Sequence, residues 1–210
     1  MKLQLALDDI SLTDALSLGE KVRDYVDIFE IGSPFIIEEG MHAVRAFRKK
    51  FPEKEILADT KIADAGEYEA GLTFAAGADY CTVIAITDDL TIKACINAAN
   101  KYGKKVFVDT INASDLKNRI PKLEKELGVN SISVHVGVDE QAAGQTPLNA
   151  LKEVKEISQG SLISVAGGIK PATIDQYVAA GADIVIVGGG VNHAEDPVEA
   201  ARQLSEAIHQ

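Results

Sequence analysis

Residues 80–109, YCTVIAITDDLTIKACINAANKYGKKVFVD, contain the unit that decides the fold. Tyr80–Ile84 is a short apolar run of strand length, Asp88–Tyr102 is a longer amphipathic segment of helical length, and Val106–Asp109 is apolar again. Working outward in both directions, the same alternation recurs to each end of the chain. Strands are expected at Leu3–Asp8, Asp27–Ile31, Ile56–Asp59, Ser131–His135, Leu162–Val165 and Ile184–Val187. The predicted helices between and after them cover about 12–25, 34–50, 65–76, 114–127, 148–157, 171–180 and 197–208, with Ser11 or Thr13 capping the first.

Eight strand–helix units without a hairpin signal predict an all-parallel sheet covered by helices. In a chain of 210 residues they fit a closed α/β (β/α)8 TIM barrel, one catalytic domain over residues 1–210. A doubly wound open sheet is the competing arrangement, but no GxGxxG follows the first strand. Ala76-Gly77-Ala78-Asp79 before the fourth strand is echoed by Ala180-Gly181-Ala182-Asp183 before the eighth, as a half-barrel repeat would give.

The totals exclude several functions. With 46% hydrophobic and 25% charged residues the composition is that of a globular protein. A formal net charge of -11 and the lack of a basic patch argue against nucleic acid as a partner. Cys81 and Cys95 have neither a zinc spacing nor a disulfide framework and are expected to be small buried hydrophobes. No signal peptide and no apolar run near the ~20 residues of a membrane span are seen, so a cytoplasmic protein is expected.

In a barrel enzyme the working groups lie at the C-terminal strand ends. Those ends hold Asp8, Glu30, Asp59 with Lys61, Asp109 and His135. Parity agrees: Leu3, Leu5 and Leu7 alternate with Gln4, Ala6 and Asp8, and Ile132 and Val134 with Ser131, Ser133 and His135. The polar sets are expected to face the barrel interior. A strand-end aspartate, Asp8, Asp9 or Asp64 included, could simply cap the next helix. A lone His135 could be a core histidine and Lys61 a structural ion-pair partner. Five ionisable ends gathered together, however, are costly to bury unless they pair or bind a cation.

Within Asp59-Thr60-Lys61-Ile62-Ala63-Asp64 two carboxylates flank a lysine, which favours its charged form. That environment is wrong for a Schiff-base lysine. Glu30 and Asp59 end adjacent strands and could share a hard cation, Mg²⁺ or Mn²⁺. His135 is the candidate general acid/base, whereas His42, His193 and His209 carry no comparable argument. Gly167 and Gly168 after the seventh strand, with Gly188, Gly189 and Gly190 after the eighth, fit the phosphate site of this fold.

The run Leu57-Ala58-Asp59-Thr60-Lys61-Ile62-Ala63-Asp64-Ala65-Gly66 resembles the D-x-K-x-x-D signature of the orotidine 5′-phosphate decarboxylase suprafamily. It is most similar to the branch of 3-hexulose-6-phosphate synthases and 3-keto-L-gulonate-6-phosphate decarboxylases. Phe29-Glu30-Ile31-Gly32, Gln141-Ala142-Ala143-Gly144 and Asp196-Pro197-Val198-Glu199-Ala200-Ala201 fit the same branch. The decarboxylases have a glutamate and an arginine where this chain carries Asp109 and Val138, so the resemblance leans to the synthases. Val108-Asp109-Thr110-Ile111 and Ser133-Val134-His135-Val136-Gly137 lean the same way.

The resemblance implies an aldolase-type lyase that adds formaldehyde to D-ribulose 5-phosphate through an enediolate. It implies a metal on Glu30 and Asp59, His135 as base and Lys61 as fixed cation. Asp8, Asp64 and Asp109 would orient hydroxyls and the lysine. It also implies a homodimer in which Asp64 could serve the neighbouring subunit. Decarboxylation of a 3-keto sugar phosphate, and sugar-phosphate binding without catalysis, are the competing readings.

Overall fold

Along β1 (Lys2–Leu7) the side chains alternate between two environments. Leu3, Leu5 and Leu7 are buried under the helices, whereas Ala6 joins a separate inner cluster with Ile28, Leu57, Phe107, Ile184 and Ile186. The two-residue period of a strand produces this division, and repeating it on each strand gives a barrel with a filled floor.

The computed structural model describes residues 1–209. The remaining strands are β2 (Ile28–Ile31), β3 (Glu55–Ile62), β4 (Tyr80–Ile84), β5 (Lys105–Asp109), β6 (Ser131–His135), β7 (Leu162–Ala166) and β8 (Ile184–Val187). All pairings are parallel and follow chain order, and β8 closes onto β1 with Leu3 opposite Val185. Closure removes both edges that an open sheet would leave unpaired. The architecture is therefore the (β/α)8 barrel.

The helices are α1 (Leu12–Val22), α2 (Ser33–Glu39), α3 (Met41–Lys50), α4 (Gly66–Ala75), α5 (Asp89–Tyr102), α6 (Leu116–Lys125), α7 (Val138–Ala142), α8 (Leu148–Ile157), α9 (Ile174–Ala179), α10 (Gly189–Asn192) and α11 (Pro197–Ile208). Ser11 is the cap of α1, its Oγ accepting the Asp14 amide at 3.2 Å. The helix expected over 34–50 is two helices, because Gly40 takes φ +61° and ends α2. The first helix stops at Val22, short of Tyr25, and α9 starts at Ile174, after a Lys170–Thr173 turn. The short helices α7 and α10 follow β6 and β8 where the apolar pattern predicts only loops.

The repeated Ala-Gly-Ala-Asp phrase has one structural meaning. Gly77 and Gly181 adopt positive φ to end α4 and α9. Asp79 then accepts the Ile56 amide at 2.9 Å and donates its own to the Ile56 carbonyl at 2.8 Å. Asp183 repeats both bonds with Ile163 at 2.8 Å. Asp27 makes the same exchange with Leu3 ahead of β2, without the glycine phrase. The aspartate is thus a device for docking a new strand on its neighbour, and it does not by itself mark two half-barrels.

Both cysteines are free and buried. Cys95 lies where α5 meets the start of α4, and a Cβ on Gly66 would stand 2.4 Å from the Thr91 carbonyl and 2.9 Å from Cys95 Sγ. A backbone oxygen cannot yield cheaply, so Gly66→Ala is expected to cost about 1–3 kcal/mol, measured by urea denaturation. Among the described residues no helix is long and apolar enough to cross a membrane.

Candidate active site

The inward parity of the strands brings Asp8, Glu30, Asp59, Lys61, Asp109 and His135 to one cavity of about 800 Å³ at the C-terminal mouth. A smaller cavity of about 320 Å³ at the opposite mouth includes Glu55 and Tyr80 and none of these groups.

At the centre, Lys61 Nζ is ion-paired to Asp59 Oδ2, with Asp109 Oδ2 at 3.8 Å. Burial pulls the lysine pKa down, but Asp59 and Asp109 outweigh it and the net shift is upward. Lys61 is therefore a fixed ammonium. It is also strained: its φ is +45°, and the β3–β4 register shifts between Ala58 and Ile62. Asp59 and Lys61, two positions apart, thus meet across a bulge, not along a regular strand.

Thr82 holds that bulge. Its Oγ donates to Asp59 Oδ1 at 2.7 Å and accepts the Lys61 amide at 2.8 Å. Ser33 Oγ lies 3.0 Å from Asp59 Oδ2 and receives Lys61 Nζ at 3.2 Å. Neither hydroxyl stands out in the sequence, although Thr82 lies two positions beyond Tyr80 on an inward-facing row of β4. Thr82→Val would strand two buried polar groups, and a loss of about 1–3 kcal/mol is expected by urea denaturation.

His135 Nδ1 lies 2.9 Å from Asp109 Oδ2. A carboxylate only accepts, so Nδ1 carries the proton and the neutral ring keeps a lone pair on Nε2. Burial lowers the imidazole pKa, Asp109 raises it, and the net shift is upward. Asp109 thus holds the histidine as well as approaching the lysine.

Glu30 is buried, and its Oε2 accepts Gln4 Nε2 at 2.5 Å. Burial first, then the nearby Asp59 charge, pushes its pKa up to about 8. Asp8, also raised by burial and by Asp59, stands over two glycines. A Cβ on Gly32 would meet Asp8 Oδ1 at 2.0 Å, and one on Gly188 would meet Oδ2 at 3.4 Å. Asp8, Glu30, Asp59 and Asp109 set four carboxyl groups, three of them buried, against one lysine, an excess of acid of the kind a hard cation offsets, although no cluster of three or more metal-ligand side chains is found among the described residues.

Gly167, Gly168, Gly188, Gly189 and Gly190 line the same cavity from the loops after β7 and β8. Gly167 and Gly168 take φ of +132° and +66°. Val138, 77% exposed, lies at the mouth where α7 begins.

Asp64 is the exception. The spacing predicts it as a partner of Lys61, but it is exposed, lies outside the cavity and turns its Oδ1 to the Ala65 amide at 2.7 Å. The left-handed Ala65 (φ +48°) caps α4 directly after it. Within its own chain Lys61 pairs with Asp59 and Asp109 instead.

A closed barrel that gathers ionisable side chains and two glycine loops at its C-terminal mouth has the architecture of a barrel enzyme. The chain belongs to the orotidine 5′-phosphate decarboxylase / HUMPS family, whose model matches residues 1–204. It is 47% identical over 208 residues to a 3-hexulose-6-phosphate synthase of Staphylococcus aureus (strain MSSA476), covering 99% of each chain. The corresponding synthase of Staphylococcus haemolyticus is 46% identical over the same length, again covering 99% of each. Among solved structures, the Salmonella typhimurium 3-hexulose-6-phosphate synthase superposes with a TM-score of 0.99 at 48% identity, covering 100% of this chain and 99% of that one. A 3-keto-L-gulonate-6-phosphate decarboxylase from Vibrio cholerae gives 0.83 at 30% identity, covering 99% and 97%.

Proposed function

We propose that this chain is an aldolase-type lyase that joins formaldehyde to D-ribulose 5-phosphate, giving D-arabino-hex-3-ulose 6-phosphate. The observation that carries the reading is the His135–Asp109 pair beside Lys61, which leaves one imidazole nitrogen free in a cavity rimmed by glycine loops. Identity near 47% to synthases over almost the whole chain supports it.

The chemistry follows from the side chains. Nε2 of His135 takes a proton from C1 of the ketose, and the C–H electron pair moves into an enediolate. Lys61 holds positive charge beside the developing oxyanion, a fixed partner that needs no reorganisation. C1 then bonds to the formaldehyde carbon as the C2 carbonyl of the ketose re-forms, and the formaldehyde oxygen takes up a proton, balancing the one removed. Asp109 keeps His135 in the accepting tautomer, and Asp8 is placed to orient a substrate hydroxyl. A divalent cation on Glu30 and Asp59, Mg²⁺ or Mn²⁺, would supply Lewis acidity at the ketose oxygens. Backbone N–H groups at Gly167, Gly168, Gly188 and Gly189 would hold the phosphate, which lets an acidic protein bind an anion.

The reading also takes the protein as a cytoplasmic homodimer. Ile37, Tyr68 and Leu90 on α2, α4 and α5 are 85%, 70% and 75% exposed, apolar surface that a second copy would cover. Asp64 precedes α4 and would then serve the neighbour's cavity. Tyr68→Asp is expected to yield monomers in sedimentation velocity and to depress turnover with them.

Incubation with ribulose 5-phosphate and formaldehyde tests the function. Formaldehyde consumption that stops with a chelator and returns with Mg²⁺ is expected. Release of CO₂ from 3-keto-L-gulonate 6-phosphate without formaldehyde consumption would favour the decarboxylase instead.

A further inference from the structure

Gln4 is fully buried in the barrel interior, on the strand next to Glu30 and one inward position below it, since Ala6 is the register partner of Glu30. Its Nε2 donates to Glu30 Oε2 at 2.5 Å, the only hydrogen bond to that carboxylate among the described residues. The amide's other atom, Oε1, is buried and has no partner. Such orphans are rare in native interiors and call for a reason. A side chain there only to fill the floor could be apolar, like Ile28, Leu57 and Ile186 around it. Here the donor end is committed to one carboxylate oxygen while the acceptor end goes unsatisfied.

We propose that Gln4 is a positioning residue for cation binding. It pins Oε2 of Glu30 and fixes the carboxylate plane, so that Oε1 is the oxygen presented to the cavity. Asp59 likewise has hydroxyls on it, Thr82 of β4 at 2.7 Å and Ser33 at the start of α2 at 3.0 Å. Each of the two carboxylates therefore has its own uncharged neighbours, and Gln4 is the one that serves Glu30. This inference rests on the reading of Glu30 as a cation ligand. Groups that orient metal ligands typically contribute about 10–100-fold to affinity when removed.

The test is Mn²⁺ binding to the full chain without substrate, followed by loss of the free-ion signal in electron paramagnetic resonance. Gln4→Met keeps the volume and removes the donor, and Gln4→Asn keeps the amide but shortens its reach. Glu30→Gln removes the ligand itself, and thermal unfolding is recorded for each. The expected result is that Glu30→Gln abolishes binding and both Gln4 variants, still folded, bind about 10–100-fold more weakly. Binding as in the unmodified chain by either folded Gln4 variant, with Glu30→Gln inactive in binding, overturns the role of Gln4 alone. Unchanged binding by Glu30→Gln overturns the ligand assignment, and this inference with it. If neither Gln4 variant folds, the residue serves the barrel floor and the proposal fails.

Discussion

Lys61→Met is expected to lower kcat by about 10²–10³-fold, the usual loss when one preorganised partner of a developing oxyanion is removed. The substitution takes away the ammonium that stands between Asp59 and Asp109 and leaves the cavity without its central cation. The phosphate contacts proposed for the glycine loops do not involve this side chain, so KM should change far less than kcat. Steady-state kinetics with ribulose 5-phosphate at saturating formaldehyde separate the two. Borohydride added with ribulose 5-phosphate alone, formaldehyde omitted because it would itself alkylate lysines under reduction, should leave Lys61 unmodified in the native chain, since an amine kept protonated by carboxylates is no Schiff-base nucleophile. A reduced adduct on Lys61 would refute its role as a fixed cation.

His135→Gln is expected to lower kcat by about 10²–10⁴-fold, the range for a lost general base. The amide has a similar reach but cannot accept a proton from carbon. The pH profile carries a second signature. Only the neutral imidazole accepts a proton, so kcat/KM rises as His135 deprotonates. Asp109 at 2.9 Å from Nδ1 raises the pKa, so that limb lies above pH 6.5, the ordinary histidine value. Asp109→Asn removes the charge that raises it. The limb should therefore move to lower pH, while the plateau falls because the ring loses its orientation. A limb that stays in place would mean that another group titrates there.

The barrel is legible in the sequence because its signal is repeated. Every strand expected from the sequence is present, and the alternation of Leu3, Leu5 and Leu7 with Gln4 and Ala6 correctly separates outside from inside. Hydrophobic period does not register helices of four or five residues, so α7 and α10 escape it. Nor does it show that Gly40 would interrupt a continuous apolar pattern. In the site, charged residues at strand ends stand out, whereas Ser33, Thr82 and Gln4 do not. Hydroxyls and amides are common inside barrels, and their value lies in which oxygen they hold, a matter of distance. Spacing alone makes Asp64 a partner of Lys61. The left-handed backbone at Ala65 lies beyond what spacing conveys.

Everything assigned to the cavity turns on one event, removal of a proton from C1 of ribulose 5-phosphate. It can be watched alone, without formaldehyde, by proton NMR of the sugar phosphate in D₂O with Mg²⁺. The native chain should replace one C1 proton by deuterium, and His135→Gln should slow that exchange by about 10²–10⁴-fold while still binding the substrate. Product formation from formaldehyde with no C1 exchange, or exchange that continues unchanged without His135, would contradict the assignment.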